Sequence, residues 1–213
     1  MVIKESRFNI VMRRTATILS VVIITFSLIA ASTGILLSIY YEPASGRAYE
    51  SLKMITDQIE YGWLFRKAHH LAGNGVIFIA LIQIVVMFLG RKFSKSWYIA
   101  WVNGIFLTLT VIGLSWTSMI FGWDQLGFWR FNIELGTIEA IPLIGEQLRE
   151  ILTGGSGVST LTVKRLYTIH SYILSTAAII LSIVHLFSVL WLEKQVSTPQ
   201  ELIQDVGASV AES

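Results

Sequence analysis

The chain has 213 residues, of which 54% are hydrophobic and only 14% charged, with a net charge of +2. A soluble domain carries about 25% charged residues, so this chain is short of soluble surface, and its small net charge, with no long basic block, argues against nucleic-acid binding. The lack of cysteine excludes disulfides, zinc-thiolate and iron–sulfur sites, and haem attached through thioethers.

In chain order, four stretches contain no Asp, Glu, Lys or Arg: 15–41, 68–90, 96–123 and 166–192. Each exceeds the roughly 20 residues that a helix needs to cross a ~30 Å hydrocarbon layer. They predict four transmembrane helices. The uncharged run of the first is too long for the core of a cleaved leader, so it is read as a retained span. Lys4, Arg7, Arg13 and Arg14 precede it against one acid, Glu5, and Arg91, Lys92 and Lys95 lie between the second and third spans with no acid. The other two connections mix signs, with Glu42, Asp57 and Glu60 in one and Glu134, Glu139, Glu146 and Glu150 in the other. This asymmetry places both termini and the short middle loop on the cytoplasmic or equivalent n side, and the long connections on the p side. Trp97, Tyr98 and Trp101, with Trp123 and Trp129 at the far end of the third span, suit interfacial aromatic belts.

The connection 124–165 is too long to be structureless in a compact chain. Ile138, Ile141 and Leu143, then Leu148, Ile151 and Leu152, recur among charges and predict short helices lying at the p-side interface. Gly154, Gly155, Ser156 and Gly157 mark a turn before the last span. Residues 1–192 thus read as one all-α integral membrane domain, a four-transmembrane-helix bundle with short p-side surface helices. Residues 193–213 read as a polar, frayed tail. No internal sequence repeat or low-complexity tract stands out.

All four histidines lie in or at the mouth of a span. His69 and His70 open the second, His170 opens the fourth, and His185 follows 15 residues later. Ionisable groups at membrane depth are rare and tend to be functional. His69 and His170 sit at matching depth, as two imidazole ligands of one haem iron must; a pair that only hydrogen-bonds inside the bundle is the alternative. Fifteen residues carry His185 ~22 Å along the helix and back near the same face. Its partner on the second span, 14 residues after His69, is Gln83, a poor ligand for haem iron. The spacing therefore suits two stacked haems with the second pair broken. Gly34, Gly104 and Gly113 allow backbone to approach a flat macrocycle or, equally, another helix. Arg66 and Arg165 stand at the membrane edge, suited to haem carboxylates or to ordinary snorkelling. His70 points about 100° from His69 and reads as a polar neighbour of that site.

These residues also carry a resemblance. From about Gly34 to His185 the chain is similar to cytochrome b6 and to the N-terminal half of bc1-type cytochrome b. The tracts are Tyr40-Tyr41-Glu42-Pro43, Tyr61-Gly62-Trp63-Leu64-Phe65-Arg66 before His69, Trp123-Asp124-Gln125-Leu126-Gly127-Phe128-Trp129, Glu139-Ala140-Ile141-Pro142, Gly154-Gly155-Ser156 and Arg165. The resemblance implies a p-side b-type haem on His69 and His170. It also implies a p-side quinol pocket walled by Trp123, Asp124 and Gln125, and a two-haem relay towards the n side. A Rieske-type iron–sulfur protein and a separate subunit completing the pocket are the implied partners, in a dimeric complex of an energy-conserving membrane (bacterial or archaeal plasma membrane, or thylakoid). Three departures fall in the n-side half. Gln83 replaces the second ligand of the second span. Ile18 stands near the place of the cysteine that tethers an extra haem. Val86 and the apolar run to Leu192 replace basic residues that grip propionates. Gly122 stands where the family has proline.

The resulting expectation is an electron-transfer subunit, not catalytic alone, of a quinol-oxidising complex. One b-type haem is expected and a second is doubtful, with His185 left as a residual n-side site. A haem-bearing anchor that wires a peripheral dehydrogenase or reductase to the quinone pool is the alternative, and a scaffold without haem is the third reading.

Overall fold

A computed structural model describes residues 7–90 and 95–211. Lys4, Glu5, Arg91 and Lys92 of the charge pattern lie outside the described residues. The described elements are helices α1 (Arg7–Ser38), α2 (Ala48–Asp57), α3 (Gly62–Leu89), α4 (Lys95–Ser118), α5 (Gln125–Glu139), α6 (Gly145–Thr153), α7 (Thr160–Thr168), a π-helical turn (Ile169–Leu174) and α8 (Ser175–Ala211). Among the described residues, four helices are long and apolar enough to cross a membrane: Arg7–Ser38, Gly62–Leu89, Trp97–Ser118 and Thr160–Lys194.

The predicted spans are all present, with shifted ends. The first two helices begin eight and six residues before the predicted 15 and 68. Counting uncharged residues locates the hydrocarbon, whereas a helix continues through the charged interface, because each further residue adds a hydrogen bond once the helix is nucleated. The same reason extends the last helix through the polar segment to Ala211, where the composition suggested a frayed tail. The third stops at Ser118, five residues before the predicted 123.

The spans close into a square. α1 packs on α3 and α8, and α4 packs on the same two, so α3 faces α8 across one diagonal and α1 faces α4 across the other. At mid-height an apolar slab of Ile23, Val76, Ala80, Leu107, Val111 and Ala178 fills the square. Most long side chains point outward, including Leu71, Phe78 and Phe187. Such a surface suits lipid, since van der Waals packing and small residues, not hydrophobic burial, join helices there.

One end of the bundle carries the two long connections. α5 and α7 bury Phe131, Leu135, Val163 and Leu166 beneath the end of α4. The Asp124 carboxylate starts α5 by accepting from the Gly127 amide at 2.7 Å. Gly154 ends α6 in the left-handed region, at φ 81°, where the predicted turn lies. Ser159 and Thr162 form a reciprocal capping box at the start of α7. α2, which the sequence did not reveal, packs Ala48 and Ile55 against Tyr41, Trp123 and Tyr167. The Arg47 guanidinium grips both Glu42 oxygens ahead of it, at 2.9 and 3.3 Å, and holds that carboxyl below the usual carboxylate range.

Candidate haem site

His69 on α3 and His170 in the π-helical turn face each other near the loop-bearing end, with ring centroids 6.4 Å apart. Each ring is held from behind by a helix of the other diagonal. His69 Nδ1 lies 2.8 Å from the Ala30 carbonyl of α1. His170 Nδ1 lies 3.0 Å from the Leu114 carbonyl of α4. A carbonyl oxygen only accepts, so each Nδ1 carries the proton and each Nε2 keeps its lone pair. Two imidazoles bound on opposite sides of one metal at the usual ~2.0–2.1 Å would place their ring centroids roughly 6.3 Å apart, close to the 6.4 Å found. No group of three or more His, Cys, Asp or Glu among the described residues is arranged to hold a bare ion. A facing imidazole pair without carboxylates instead suits an iron whose other positions are already filled by a macrocycle.

A second layer lies about 21 Å along the bundle, 14 residues away at 1.5 Å each. There Gln83 and His185 are 2% and 1% exposed. Gln83 Nε2 donates to the Ala16 carbonyl at 3.1 Å and stands 3.0 Å from both Ser20 Oγ and His185 Nε2. An iron would hold its two ligand atoms about 4 Å apart. A direct 3.0 Å hydrogen bond leaves it no room. Gln83 Oε1 and His185 Nδ1 make no hydrogen bond of good geometry, although the Ala100 carbonyl lies beside the His185 ring.

The two layers are copies of one arrangement. Ala16 and Ala30, Ala100 and Leu114, and Gln83 and His69 are each separated by 14 residues. His170 and His185 are 15 apart, and the π-helical turn at Ile169–Leu174 takes up the extra residue. Just after that turn, the Ser175 hydroxyl at the start of α8 donates back to the Ser171 carbonyl. The repeat is one of backbone acceptors and the groups that donate to them, so the sequence shows no repeated motif.

The glycines divide. A Cβ at Gly34 would stand 3.0 Å from His69 Cε1, and one at Gly104 would stand 3.0 Å from His185 Cε1. Both seat a ring. At Gly113 it would meet only Leu174, at 3.4 Å, which is ordinary helix packing. Gly34→Ala is therefore expected to push His69 from its seat and lower haem content, measured as Soret absorbance per protein.

The remaining candidates are placed as follows. Arg66 donates to Thr56 Oγ1 at 2.8 Å, one turn before His69. Arg165 donates to the Ile151 carbonyl at 2.7 Å and so closes the end of α6. His70 points away from the ring pair, as the 100° step from His69 suggested, and lies exposed beside Asn74, 3.3 Å away. Trp123, Asp124 and Gln125 line a cavity of about 250 Å³ with Phe128 and Trp129. In it Gln125 accepts from the Trp129 indole at 3.0 Å, and Trp123 takes the left-handed φ of 43°. Asp124→Ala removes a helix cap and is expected to cost about 1 kcal/mol, whereas Asp124→Asn keeps the cap. Thermal unfolding of the two variants checks this.

Residues 9–193 match the family described as Cytochrome b/b6/petB. The chain belongs to the cytochrome b/b6 family. Cytochrome b6 of Cyanidium caldarium is 31% identical over 162 residues, covering 76% of this chain and 75% of that protein. Cytochrome b6 of Desmonostoc is 30% identical over 172 residues, covering 81% and 79%. A chain of a hyperthermophilic respiratory Complex III shares the fold, with a TM-score of 0.71 at 22% identity over 83% of this chain. This chain spans about half the length of that one, 47%.

Membership of the cytochrome b/b6 family implies b-type haem, and the two layers answer differently to that group. The His69–His170 layer fits it in spacing and in the polarity of its hydrogen bonds. The Gln83–His185 layer does not, because an amide closes the gap. Sequence reasoning singled out His69 and His170, which the structure brings face to face, and Gln83, which it brings against His185. It missed Ser20, Thr33, Thr117 and the π-helical turn, whose one signal was the mismatch of 15 residues against 14.

Proposed function

We propose that the chain is the electron-carrying cytochrome b subunit of a quinol-oxidising membrane complex, with a single b-type haem held by His69 and His170. The observation that carries this reading is the contrast between layers: rings 6.4 Å apart with both Nδ1 atoms donating to carbonyls, against a closed 3.0 Å contact. When bound, the haem supplies a reversible one-electron carrier near the p side.

The chain's own residues do the rest. The Ala30 and Leu114 carbonyls hold the two imidazoles in the tautomer that presents Nε2. Phe121 packs edge-on against His170, with centroids 5.2 Å apart, and screens the layer from the loop side. The Trp123–Trp129 cleft is the place where a quinol would dock, completed by a separate subunit. Arg66 and Arg165 stand at the same end as carboxylate partners. A Rieske-type iron–sulfur protein is the acceptor of the other electron, and the termini face the n side of an energy-conserving membrane. Gln83 offers no iron ligand. The relay stops at its first layer, about 21 Å of helix short of the second, and efficient n-side quinone reduction is not expected.

Haem quantification with absorption and EPR spectra of the purified chain tests the proposal. One low-spin bis-imidazole haem per chain is expected. Two such haems, or none, would overturn it.

A further inference from the structure

Two threonines repeat the same placement behind the two ligand rings. Thr33 lies three residues after Ala30, and Thr117 three after Leu114. Thr33 Oγ1 is 3.3 Å from His69 Nδ1, and Thr117 Oγ1 is 3.0 Å from His170 Nδ1. The hydroxyl protons are already committed. Thr33 donates to the Ile29 and Ala30 carbonyls at 2.6 and 3.1 Å, and Thr117 to those of Gly113 and Leu114 at 2.9 and 3.0 Å. Each threonine oxygen is thus left with a lone pair for the imidazole N–H, which it shares with the carbonyl.

A membrane threonine commonly donates back to its own helix, and that habit alone would be unremarked. Thr25, Thr108 and Thr110 do so without touching a ring. In the closed layer the corresponding positions, three residues after Ala16 and Ala100, are Leu19 and Asn103, and Asn103 turns away to the Leu181 carbonyl at 3.1 Å. The hydroxyl pair therefore belongs to the layer that fits haem.

Resting on the single-haem reading above, we infer that Thr33 and Thr117 are positioning residues that set the electron affinity of the haem by drawing on the Nδ1 protons of its two ligands. An imidazole whose N–H is more strongly accepted has more anionic character. It donates more charge to iron and favours the ferric state. Removing one acceptor makes the ligand a weaker donor and favours the ferrous state.

The test is a potentiometric titration of the purified full-length haem protein, with ferric EPR spectra, for wild type, Thr33→Val, Thr117→Val, Thr33→Ser and Thr117→Ser. Valine keeps the shape and loses the oxygen, whereas serine keeps the oxygen. At the wild-type midpoint, Thr117→Val is expected to raise the ferrous-to-ferric ratio about two- to tenfold, the range for one net hydrogen bond. Thr33→Val should raise it less, its contact being longer, and both serine variants should titrate as wild type. Loss of haem in a valine variant but not in its serine counterpart also supports the inference. Valine variants that load haem at the wild-type potential with an unchanged EPR spectrum would overturn it. Serine variants that shift or lose haem as far as valine would do the same. Wild type lacking a bis-imidazole haem would instead sink the underlying reading, before any variant is made.

Discussion

His170→Ala is expected to abolish the low-spin bis-imidazole signal of the purified chain and to strip most of its haem. Loss of a partner that only orients a metal ligand costs roughly 10–100-fold in affinity, and here the ligand itself is removed. The bundle should survive. The slab of Ile23, Val76, Ala80, Leu107, Val111 and Ala178 lies away from this layer, and α5 and α7 are anchored through Phe131, Leu135, Val163 and Leu166. Unchanged helical circular dichroism with Soret absorbance near baseline is the result to look for. His69→Gln gives an independent check, because it copies the second layer. The new amide can donate to the Ala30 carbonyl as Gln83 does to Ala16 and reach His170 as Gln83 reaches His185. That variant should fold with the gap closed and bind no haem. Full haem retention in either variant would contradict the ligand assignment.

Gln83→His combined with Ser20→Gly is expected to admit a second haem, doubling Soret absorbance per protein and adding a second bis-imidazole EPR species. Gln83→His alone should gain little. In the haem-compatible layer the residue four after the acceptor Ala30 is Gly34, and a Cβ there would stand 3.0 Å from the His69 ring. In the other layer the residue four after Ala16 is Ser20, whose hydroxyl donates to Ala16 at 2.8 Å. A histidine at position 83 taking the Ala16 carbonyl would press its ring on the Ser20 Cβ. Gly104, by contrast, already leaves room for the His185 ring. Overpacking of this kind costs typically 1–3 kcal/mol, enough to forfeit much of the gain from a second ligand. Absorbance per protein that stays at the wild-type value in the double variant would show that the second layer is closed by more than these two side chains.

The amino-acid sequence by itself determined the four spans, because uncharged runs of such length are stable as helices in lipid and little else. It also revealed His69 and His170 as a pair at matching depth and Gln83 as the misfit opposite His185, since both follow from counting residues along helices of known rise. Other features existed only once the helices were packed. Which nitrogen of each ring carries the proton depends on the Ala30 and Leu114 carbonyls, backbone groups that no residue type discloses. Whether the Gln83 layer stands open or closed depends on an amide of α3 reaching two other helices, α1 and α8, at once. The roles of Ser20, Thr33 and Thr117 rest on contacts 36 to 63 residues away in the chain. The π-helical turn that brings His185 into register is a choice between backbone ladders, made by the fit of α8 against its neighbours, and residue spacing alone shows only that one residue is surplus.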